Sequence, residues 1–346
     1  MNKSFYIFNL CLALVLSPNM VAAQLPKELG TDPNLLLPLD DESSRSDLFS
    51  LIEESRRMIT TKGAEGHAAP NSPMSKQDPF DLRGKSGQFV FPFDALYDGS
   101  KVKSRGNSLF GIDISHHTDP KVPFPHLSES KVSFVYAKAT QGTRFKDGAF
   151  SSFWKALEAL PNDKKVHRGA YHFLTAGQDP ADQAATFLKF ISANGGLKIT
   201  DMPPVLDLEW ETYKNKPEDQ WKGHEPDQIV QKALTWLRIV KQETGRTPLL
   251  YTSYAWWRER GIQDQILFDQ LRNGNYGIWI ADYSRSSRAI EMPELPSGAP
   301  WALWQFTNKA KLPKNYNYGV DATIFKGTEQ QFYEIFGLAS FQLNTR

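Results

Sequence analysis

The chain has 346 residues, of which 40% are hydrophobic and 23% charged, a composition ordinary for a globular protein that buries a sizeable core. Its formal net charge of +1 excludes a strongly basic surface of the kind that binds nucleic acid. Aromatic residues make up 12% and include 9 tryptophans, which is typical of carbohydrate-stacking surfaces and also of a large aromatic core.

The first residues predict export. Lys3 supplies a positive charge before an apolar stretch over residues 5–16, which is too short to span a membrane, and the small residues 21–23 form a cleavage site. The only cysteine, Cys11, lies inside this segment, so the mature chain would have neither a disulfide nor thiol chemistry. We therefore expect a signal peptide over about residues 1–23 and a periplasmic or extracellular chain without a membrane span.

Residues 24–105 read as an N-terminal extension or linker. They are rich in Pro, Ser, Asp and Glu and show little apolar periodicity. Within them, residues 46–59 place apolar side chains on one face and predict a short helix. The stretch FVFPFDALY over residues 89–97 is too apolar for a free tail, and we expect it to dock on the domain that follows, residues 106–340.

From Leu109 onwards, β-rich runs alternate with helical patterns, which predicts an α/β fold with either a barrel or a doubly wound sheet. One helix has Asp179 as its N-cap with proline at its first position and stops before Gly195. Another ends before Gly245. The predicted strands are 109–114, 132–139, 166–173, 205–208, 248–251, 277–281 and 302–306, and the remaining helical patterns cover 150–160, 229–240 and 331–336.

The stretch VLDLEW over residues 205–210 sets two carboxylates, Asp207 and Glu209, into a buried strand. Residues i and i+2 of a strand point to the same side, with their Cβ atoms roughly 7 Å apart. Neighbouring carboxylates raise each other's pKa, and a carboxyl group of raised pKa can act as a general acid at neutral pH. The alternative interpretation is a strand end at which both acids are solvated.

Other polar residues also follow predicted strands. Because the active site of a (β/α) barrel lies at the carboxyl ends of its strands, acids on three separate strands favour a catalytic face there. Of these residues, we interpret Asp282 as structural and His172 as a hydrogen-bonded strand-end residue rather than a proton shuttle. The strand-end residues are Asp113, Tyr171, His172, Asp207, Glu209, Tyr251 and Asp282.

Several chemistries lack their sequence motifs. The chain has no G-x-S-x-G, no H-E-x-x-H, no phosphate-cradling glycine loop and no Cys/His cluster. The pair His116 and His117 is interpreted as a polar loop pair rather than as metal ligands. A carboxylate hydrolase without metal or cofactor remains, and glycoside hydrolysis is the commonest form of that class.

Eight stretches spread over about residues 108–337 carry the most specific pattern in the chain. They are FGIDISHH (110–117), FVYAKATQGTRFKD (134–147), RGAYHF (168–173), VLDLEW (205–210), LLYTS (249–253), IWIADY (278–283), LWQFT (303–307) and GVDATIF (319–325). In this order they resemble glycoside hydrolase family 25, the Chalaropsis-type lysozymes, which are N-acetylmuramidases.

The resemblance implies a modified, TIM-like (β/α) barrel that hydrolyses the β-1,4 bond from N-acetylmuramic acid to N-acetylglucosamine in peptidoglycan. By the family pattern Glu209 is the general acid, and Asp207 orients and polarises either the substrate's N-acetyl group or a water. Asp113 and Asp321 complete the acidic cluster. Tyr251 and Tyr171 are expected to support the sugar, and Trp279 and Trp304 to line the groove or to belong to the core. The expected partner is the glycan strand, and we expect a monomer.

The sequence departs from the family pattern at three places. Thr323 stands where the family usually has Asn, residues 211–227 form a longer loop after the acidic motif, and residues 24–105 have no counterpart. A chitinase-like hydrolase is an alternative, because such enzymes also carry an Asp-x-Glu on a barrel strand, and Thr323 leaves open an inactive wall-binding barrel. Asp321 could also precede a helix as a capping acid.

Overall fold

The computed structural model describes residues 91–97, 104–283, 292–296 and 298–341. Nine strands occur in these ranges, and eight of them close into a barrel, which confirms the predicted modified (β/α) fold. The strands are β1 (Ser108–Ile114), β2 (Val132–Gln141), β3 (Phe145–Lys146), β4 (His167–Phe173), β5 (Val205–Asp207), β6 (Leu249–Ser253), β7 (Gly277–Ala281), β8 (Trp301–Leu312) and β9 (Tyr316–Lys326).

The barrel is mostly parallel. The order around it is β1-β9-β8-β7-β6-β5-β4-β2, and a parallel pairing of β2 with β1 closes the circle. Only β9 among these eight strands runs antiparallel to its neighbours, β1 and β8. The two-residue strand β3 pairs with the end of β2 and lies outside the ring. The carboxyl ends of seven strands therefore share one rim.

Helices connect and surround the strands. Asp179 caps its helix by accepting bonds from the backbone N–H groups of Ala181 and Asp182, and Gly245 ends another helix in the left-handed conformation, as predicted. The helices in the described residues are α1 (Phe93–Leu96), α2 (Phe150–Glu158), α3 (Pro180–Ala193), α4 (Pro226–Thr244), α5 (Tyr254–Glu259), α6 (Asp264–Gly274) and α7 (Glu329–Phe336), with 3-10 turns at Phe124–Ser130 and Asn162–Lys164.

Besides the short elements α1 and β3, two larger parts of this architecture were absent from the sequence prediction. Strand β9 was not predicted, and β8 extends six residues beyond the predicted 302–306, because the outer half of the hairpin they form is largely exposed and has no apolar run. Helices α5 and α6, which follow one another between β6 and β7, were also missed, although both contain buried apolar residues. Of these segments, the outer half of the β8–β9 hairpin is the one whose apolar pattern is weak.

The apolar core has two layers, which follow from the alternation of side chains along each strand. An outer layer lies between the barrel and its helices, and an inner layer fills the barrel. On β5, for example, Leu206 belongs to the outer layer and Val205 to the inner one. The inner layer consists of Phe134, Tyr136, Tyr171, Met202, Val205, Leu249, Tyr251, Trp279, Ala281, Leu303, Phe325, Phe332 and Phe336.

Glycines in two of the family-like stretches make room for this inner layer. A Cβ atom on Gly111 of FGIDISHH would lie 2.0 Å from the ring of Phe134, and one on Gly169 of RGAYHF would lie 2.2 Å from the ring of Tyr136. Both distances are far inside van der Waals contact. The aromatic rings that fill the barrel therefore require glycine on the strand beside them.

Helix α7 closes the amino end of the barrel. Because β9 is antiparallel, its last residues lie at that end, and α7 follows directly. Phe332, fully buried, packs its ring 5.6 Å from that of Phe134 and 5.3 Å from that of Phe325. Phe336 adds a further contact at 5.0 Å. This aromatic plug leaves the carboxyl end as the end at which polar residues enter the barrel.

The described part of the N-terminal stretch packs on the domain. Phe91 is 4% exposed, and its ring centroid lies 5.9 Å from that of Phe110 on β1. Arg105 donates to the carbonyl oxygen of Asp94 at 2.7 Å, which ties α1 to the start of the barrel. The predicted signal peptide and the helix over 46–59 lie outside the described residues. No helix within those residues is long and apolar enough to cross a membrane.

Candidate active site

Asp207 and Glu209 lie together at the carboxyl end of β5. Leu208, between them, packs in the outer layer, so both carboxylates lie on the side of the barrel interior. Each residue is only 2% exposed. Backbone bonds hold this segment on both sides, from Leu174 N–H to the Asp207 carbonyl and from Leu208 N–H to the Tyr251 carbonyl, both at 2.9 Å. The two acids are thus buried side by side, and the alternative of a solvated strand end does not apply.

The other two predicted acids, Asp113 and Asp321, are direct neighbours across the β1–β9 pair. Asp113 is 9% exposed, and Asp321 is half-buried. Both are inward-facing, because the residues that flank them, Ile112 and Ala322, belong to the outer layer. Asp321 lies within a strand and not before a helix, which removes the capping alternative.

A buried amide links one of these acids to two tyrosines. Gln305 on β8 donates from Nε2 to Asp113 Oδ2 at 2.8 Å. Its Oε1 accepts from the hydroxyl of Tyr251 at 3.0 Å and from that of Tyr283 at 2.8 Å. Tyr251 in turn lies opposite Asp207 in the β5–β6 register. The hydrogen bonds and strand register therefore join β1, β5, β6, β7 and β8 around one site.

The sequence prediction did not single out Gln305 or Tyr283. Both occur in the family-like stretches LWQFT and IWIADY, but a glutamine and a second tyrosine carry no chemistry of their own in the sequence. Only the closed barrel brings β1 and β8 within reach of each other, on either side of β9. The signal that could have found them is their position, since each lies at or just after an inward-facing strand residue near the rim.

Trp279 and Tyr171 lie deeper in the barrel. Trp279 is 2% exposed, its ring is 5.0 Å from that of Tyr251 and 4.9 Å from that of Tyr136, and its indole N–H donates to Thr323 Oγ1 at 3.1 Å. Tyr171 is 5% exposed and pairs with Val205, one layer below Asp207. These aromatic rings form the floor under the acids. Thr323, which stands in place of the family asparagine, accepts the hydrogen bond from the Trp279 indole in this floor.

Trp304 lies elsewhere. Its place on β8, one residue before the inward-facing Gln305, turns it into the outer layer, where it is 1% exposed. Its indole N–H donates to the Asp282 carbonyl at 2.7 Å. The side chain of Asp282 accepts from the backbone N–H of Glu294 at 2.6 Å. This placement agrees with the interpretation of Trp304 as a core residue. The bond from Asp282 to Glu294 agrees with a structural role for Asp282 at the rim.

His172 faces away from the site. It is fully buried on the outer side of β4, with its ring stacked 5.5 Å from that of Trp236 and its nitrogens bonded to Thr140 Oγ1 at 2.7 Å and Gln183 Oε1 at 3.2 Å. Burial lowers the pKa of His172 to about 3, so the ring is neutral at physiological pH. A neutral, outward-facing ring cannot shuttle protons for the acids inside the barrel.

The rim beside Asp113 carries an ordered histidine. His116 Nδ1 lies 2.7 Å from Asp147 Oδ2, and its backbone N–H donates to the same oxygen at 2.9 Å. Burial acts to raise the pKa of Asp147, but the bonds from His116 and from the N–H of Ala149 outweigh it and hold the pKa below its usual range. The ring of His117 lies 3.8 Å from that of His116. Among the described residues, no group of three or more acids, histidines or cysteines is placed to hold a metal ion.

A second acidic cluster, which the sequence prediction missed, lies in the long loop after the acidic motif. Glu211 is 1% exposed and accepts from the backbone N–H of Ala176 at 2.7 Å and from the hydroxyl of Tyr213. Its own N–H donates to Asp219 Oδ1 at 2.9 Å. Burial raises the pKa of Glu211 to about 7 despite the two bonds it accepts. This cluster fastens the loop to the segment after β4, beside the site.

Comparison with known proteins places this geometry in a family. The sequence model of glycosyl hydrolases family 25 matches residues 112–315, more than half of the chain. An N,O-diacetylmuramidase from Arthroderma benhamiae is 29% identical over 238 residues, which cover 67% of this chain and 88% of that protein.

Solved structures agree with the family match. A bacterial lysozyme from Streptomyces coelicolor is 25% identical with a TM-score of 0.54, and the match covers 66% of this chain and 96% of that one. A family GH25 lysozyme from Aspergillus fumigatus is 26% identical with a TM-score of 0.53, covering 66% and 99%. The buried acids at the open end of a closed barrel thus occur in a chain that belongs to glycosyl hydrolases family 25.

Proposed function

We propose that this chain is a lysozyme that hydrolyses the β-1,4 bond between N-acetylmuramic acid and N-acetylglucosamine in peptidoglycan. The observation that carries the proposal is the pair Asp207 and Glu209, each 2% exposed, side by side at the open end of a family 25 barrel. Burying two carboxylates is unfavourable, since their charged forms lose hydration. Such a pair is therefore rarely buried without a functional reason. The relatives named above as a diacetylmuramidase and as lysozymes support this substrate class.

In the proposed reaction Glu209 donates its proton to the glycosidic oxygen as the bond to the anomeric carbon breaks. Asp207 assists in one of two ways. If it polarises the substrate's N-acetyl group, the acetyl oxygen attacks the anomeric carbon and water then opens the cyclic intermediate, so the anomeric configuration is retained. If it activates a water instead, that water attacks directly and the configuration is inverted. Asp113, Asp321 and Tyr251 would shape the acidic end around the sugar.

The test is digestion of purified peptidoglycan. Borohydride reduction of the products followed by mass spectrometry should show N-acetylmuramitol, the reduced form of N-acetylmuramic acid, at the new ends. Cleavage of chitin oligosaccharides without action on peptidoglycan would favour the chitinase-like alternative. Failure to release any sugar would favour the inactive wall-binding barrel. Proton NMR of the first product formed reports its anomer and separates the two roles of Asp207.

Glu209→Gln tests the assignment of the acid. We expect this variant to lose at least about 1,000-fold in kcat, because the amide has no proton of the required acidity to donate. Its circular dichroism should remain that of the wild type. Glu243→Gln, which changes an exposed acid on α4, is the matched control and should retain full activity. Wild-type activity in Glu209→Gln would contradict the proposed role.

We also propose that the chain acts outside the cytoplasm, as its substrate requires. The support is the charged and apolar pattern of residues 1–23 together with membership of a wall-degrading family. Amino-terminal sequencing of the protein recovered from the periplasm or the medium tests this proposal. A mature chain that begins at Gln24 is the expected result, and retention of residue 1 in an active cytoplasmic protein would contradict it.

A further inference from the structure

Gln305 occupies an unusual position in the barrel. It is 2% exposed and lies on β8 between Ala281 of β7 and Thr323 of β9 in the strand register. The β8–β9 register shifts directly after it, between Gln305 and Thr307. Register irregularities of this kind often occur next to active sites, where they redirect a side chain. Gln305 is therefore the last inward-facing residue of β8 before its pairing with β9 becomes irregular.

The direction of each hydrogen bond at Gln305 follows from elementary chemistry. The amide nitrogen of Gln305 lies 2.8 Å from Asp113 Oδ2, and an amide N–H can only donate, so the carboxyl oxygen accepts. The amide oxygen then faces the two phenols, and both Tyr251 and Tyr283 must donate to it. One side chain thus bonds to a carboxylate and to two hydroxyl groups at once.

These hydrogen bonds decide whether the Tyr251 hydroxyl acts as a donor or as an acceptor toward a bound sugar. With its hydrogen directed at Gln305, the hydroxyl of Tyr251 presents oxygen lone pairs elsewhere and is an acceptor for the O–H and N–H groups of a sugar. Asp113, held through Oδ2, keeps a fixed plane next to Asp321. A fixed arrangement of this kind lowers the reorganisation needed when charge develops on the sugar. An apolar residue at position 305 would remove one hydrogen bond from each of these three groups.

We propose that Gln305 is a positioning residue for hydrolysis, acting through Asp113 and Tyr251, with Tyr283 as the second hydroxyl that holds its amide in place. This inference rests on the proposed function. The ionisable groups that face Gln305 are Asp113 from β1, Tyr251 from β6 and Tyr283 after β7, with Asp321 of β9 next to Asp113. Gln305 itself transfers no proton.

Gln305→Met and Gln305→Glu are the informative variants. Methionine keeps the length of the side chain but removes both hydrogen-bonding ends. We expect kcat on soluble peptidoglycan fragments to fall about 10- to 100-fold, with KM changed less than about threefold, because orientation and not binding is lost. Gln183→Met is the matched control, since Gln183 is equally buried and bonded but lies on α3, on the outer side of β4. It should lose stability without a change in the pH profile of kcat.

Gln305→Glu should make activity depend on pH in a new way. When protonated, a glutamic acid reproduces the amide, because its O–H donates to Asp113 and its carbonyl accepts from both tyrosines. When ionised, it places a second negative charge against Asp113. At the acidic end of the pH range we therefore expect the activity of Gln305→Glu to be near that of the wild type. As pH rises, the variant should lose activity at a lower pH than the wild type does. A merely structural glutamine would not produce this shift.

A double-mutant cycle of Gln305→Met with Asp113→Asn, read as shifts in Tm, needs no activity. We expect the double variant to lose less than the sum of the single losses, because the two residues interact. Additive losses, or a Gln305→Met enzyme with kcat within twofold of the wild type, would overturn the proposal. An inactive wild type on peptidoglycan would instead refute the proposed function, and the Tm cycle would then decide by itself whether Gln305 positions Asp113.

Discussion

The two ends of this barrel use the same inward-facing positions for opposite purposes. At the amino end the positions carry phenylalanines, and α7 adds Phe332 and Phe336 to close the barrel with aromatic rings. At the carboxyl end the positions carry Asp113, Asp207 and Gln305, all buried and joined by hydrogen bonds or strand register. Alternation along a strand decides only which side chains face inward. The closing helix decides which end is sealed and which end can hold polar chemistry.

This comparison predicts that changes at the closed end affect stability and not chemistry. Phe332→Ala should lower the free energy of unfolding by about 3–5 kcal/mol, since a fully buried ring in contact with three other phenylalanines is lost. Denaturant unfolding measures the loss, and kcat below the unfolding transition should stay within about twofold of the wild type. Ile335→Ala on the same helix is the control, because Ile335 is 60% exposed. A fall in kcat with unchanged stability would break the comparison.

Changes at the open end should show the reverse pattern. Asp207→Asn is expected to lower kcat at least about 100-fold, equal to about 3 kcal/mol in activation free energy, because the group that assists the reacting centre is neutralised. Its unfolding transition should be no less cooperative than that of the wild type. Release of reducing sugar from peptidoglycan measures the first expectation and thermal unfolding the second. A variant with a lowered Tm but the kcat of the wild type would show that Asp207 has a structural and not a catalytic role.

Glu211 lies only two residues after Glu209, but its contacts with Ala176 and Asp219 give it a structural role in the loop. Its pKa is raised from 4.5 to about 7 by burial, so between these values the folded chain binds more protons than the unfolded one. The free energy of unfolding should therefore fall as pH rises through this window, by about 3 kcal/mol in total. Glu211→Gln should flatten this decline. Glu218→Gln, at an exposed acid of the same loop, should leave the decline as in the wild type.

The smallest expected effect concerns the layer between the two ends. Thr323→Val removes the acceptor of the Trp279 indole N–H and should lower the free energy of unfolding by about 1–2 kcal/mol. Because Thr323 belongs to the floor beneath the acids, kcat should change less than about threefold. Thr323→Ser keeps the hydroxyl and separates its contribution from that of the methyl group. A large loss of kcat in Thr323→Val alone would extend the active site one layer deeper.

Much of the fold was accessible from the sequence. Strong apolar runs and helix caps located seven of the eight barrel strands and four of the seven helices in the part of the chain that the structure describes, and the ordered family-like stretches predicted a barrel. Helices α5 and α6 escaped prediction although they contain buried apolar residues. Strand β9 was missed among strand candidates because its outer half is solvent-exposed, although the stretch over 319–325 within it resembled the family's closing motif. For the site, the four acids and Tyr251 were named from strand ends and family order, and their roles stay proposals.

The sequence by itself determined the alternation that turns Asp207, Glu209 and Asp113 inward, since a strand has a period of two whatever its neighbours. It could not determine that Gln305 reaches Asp113, because the two residues are far apart in the chain and meet only when β9 inserts between β1 and β8 and the barrel closes. Nor could it place Trp279 in the floor and Trp304 in the outer layer before the exact strand register was known. Long-range closure and register are properties of the whole barrel, and they decide which side chains share a site.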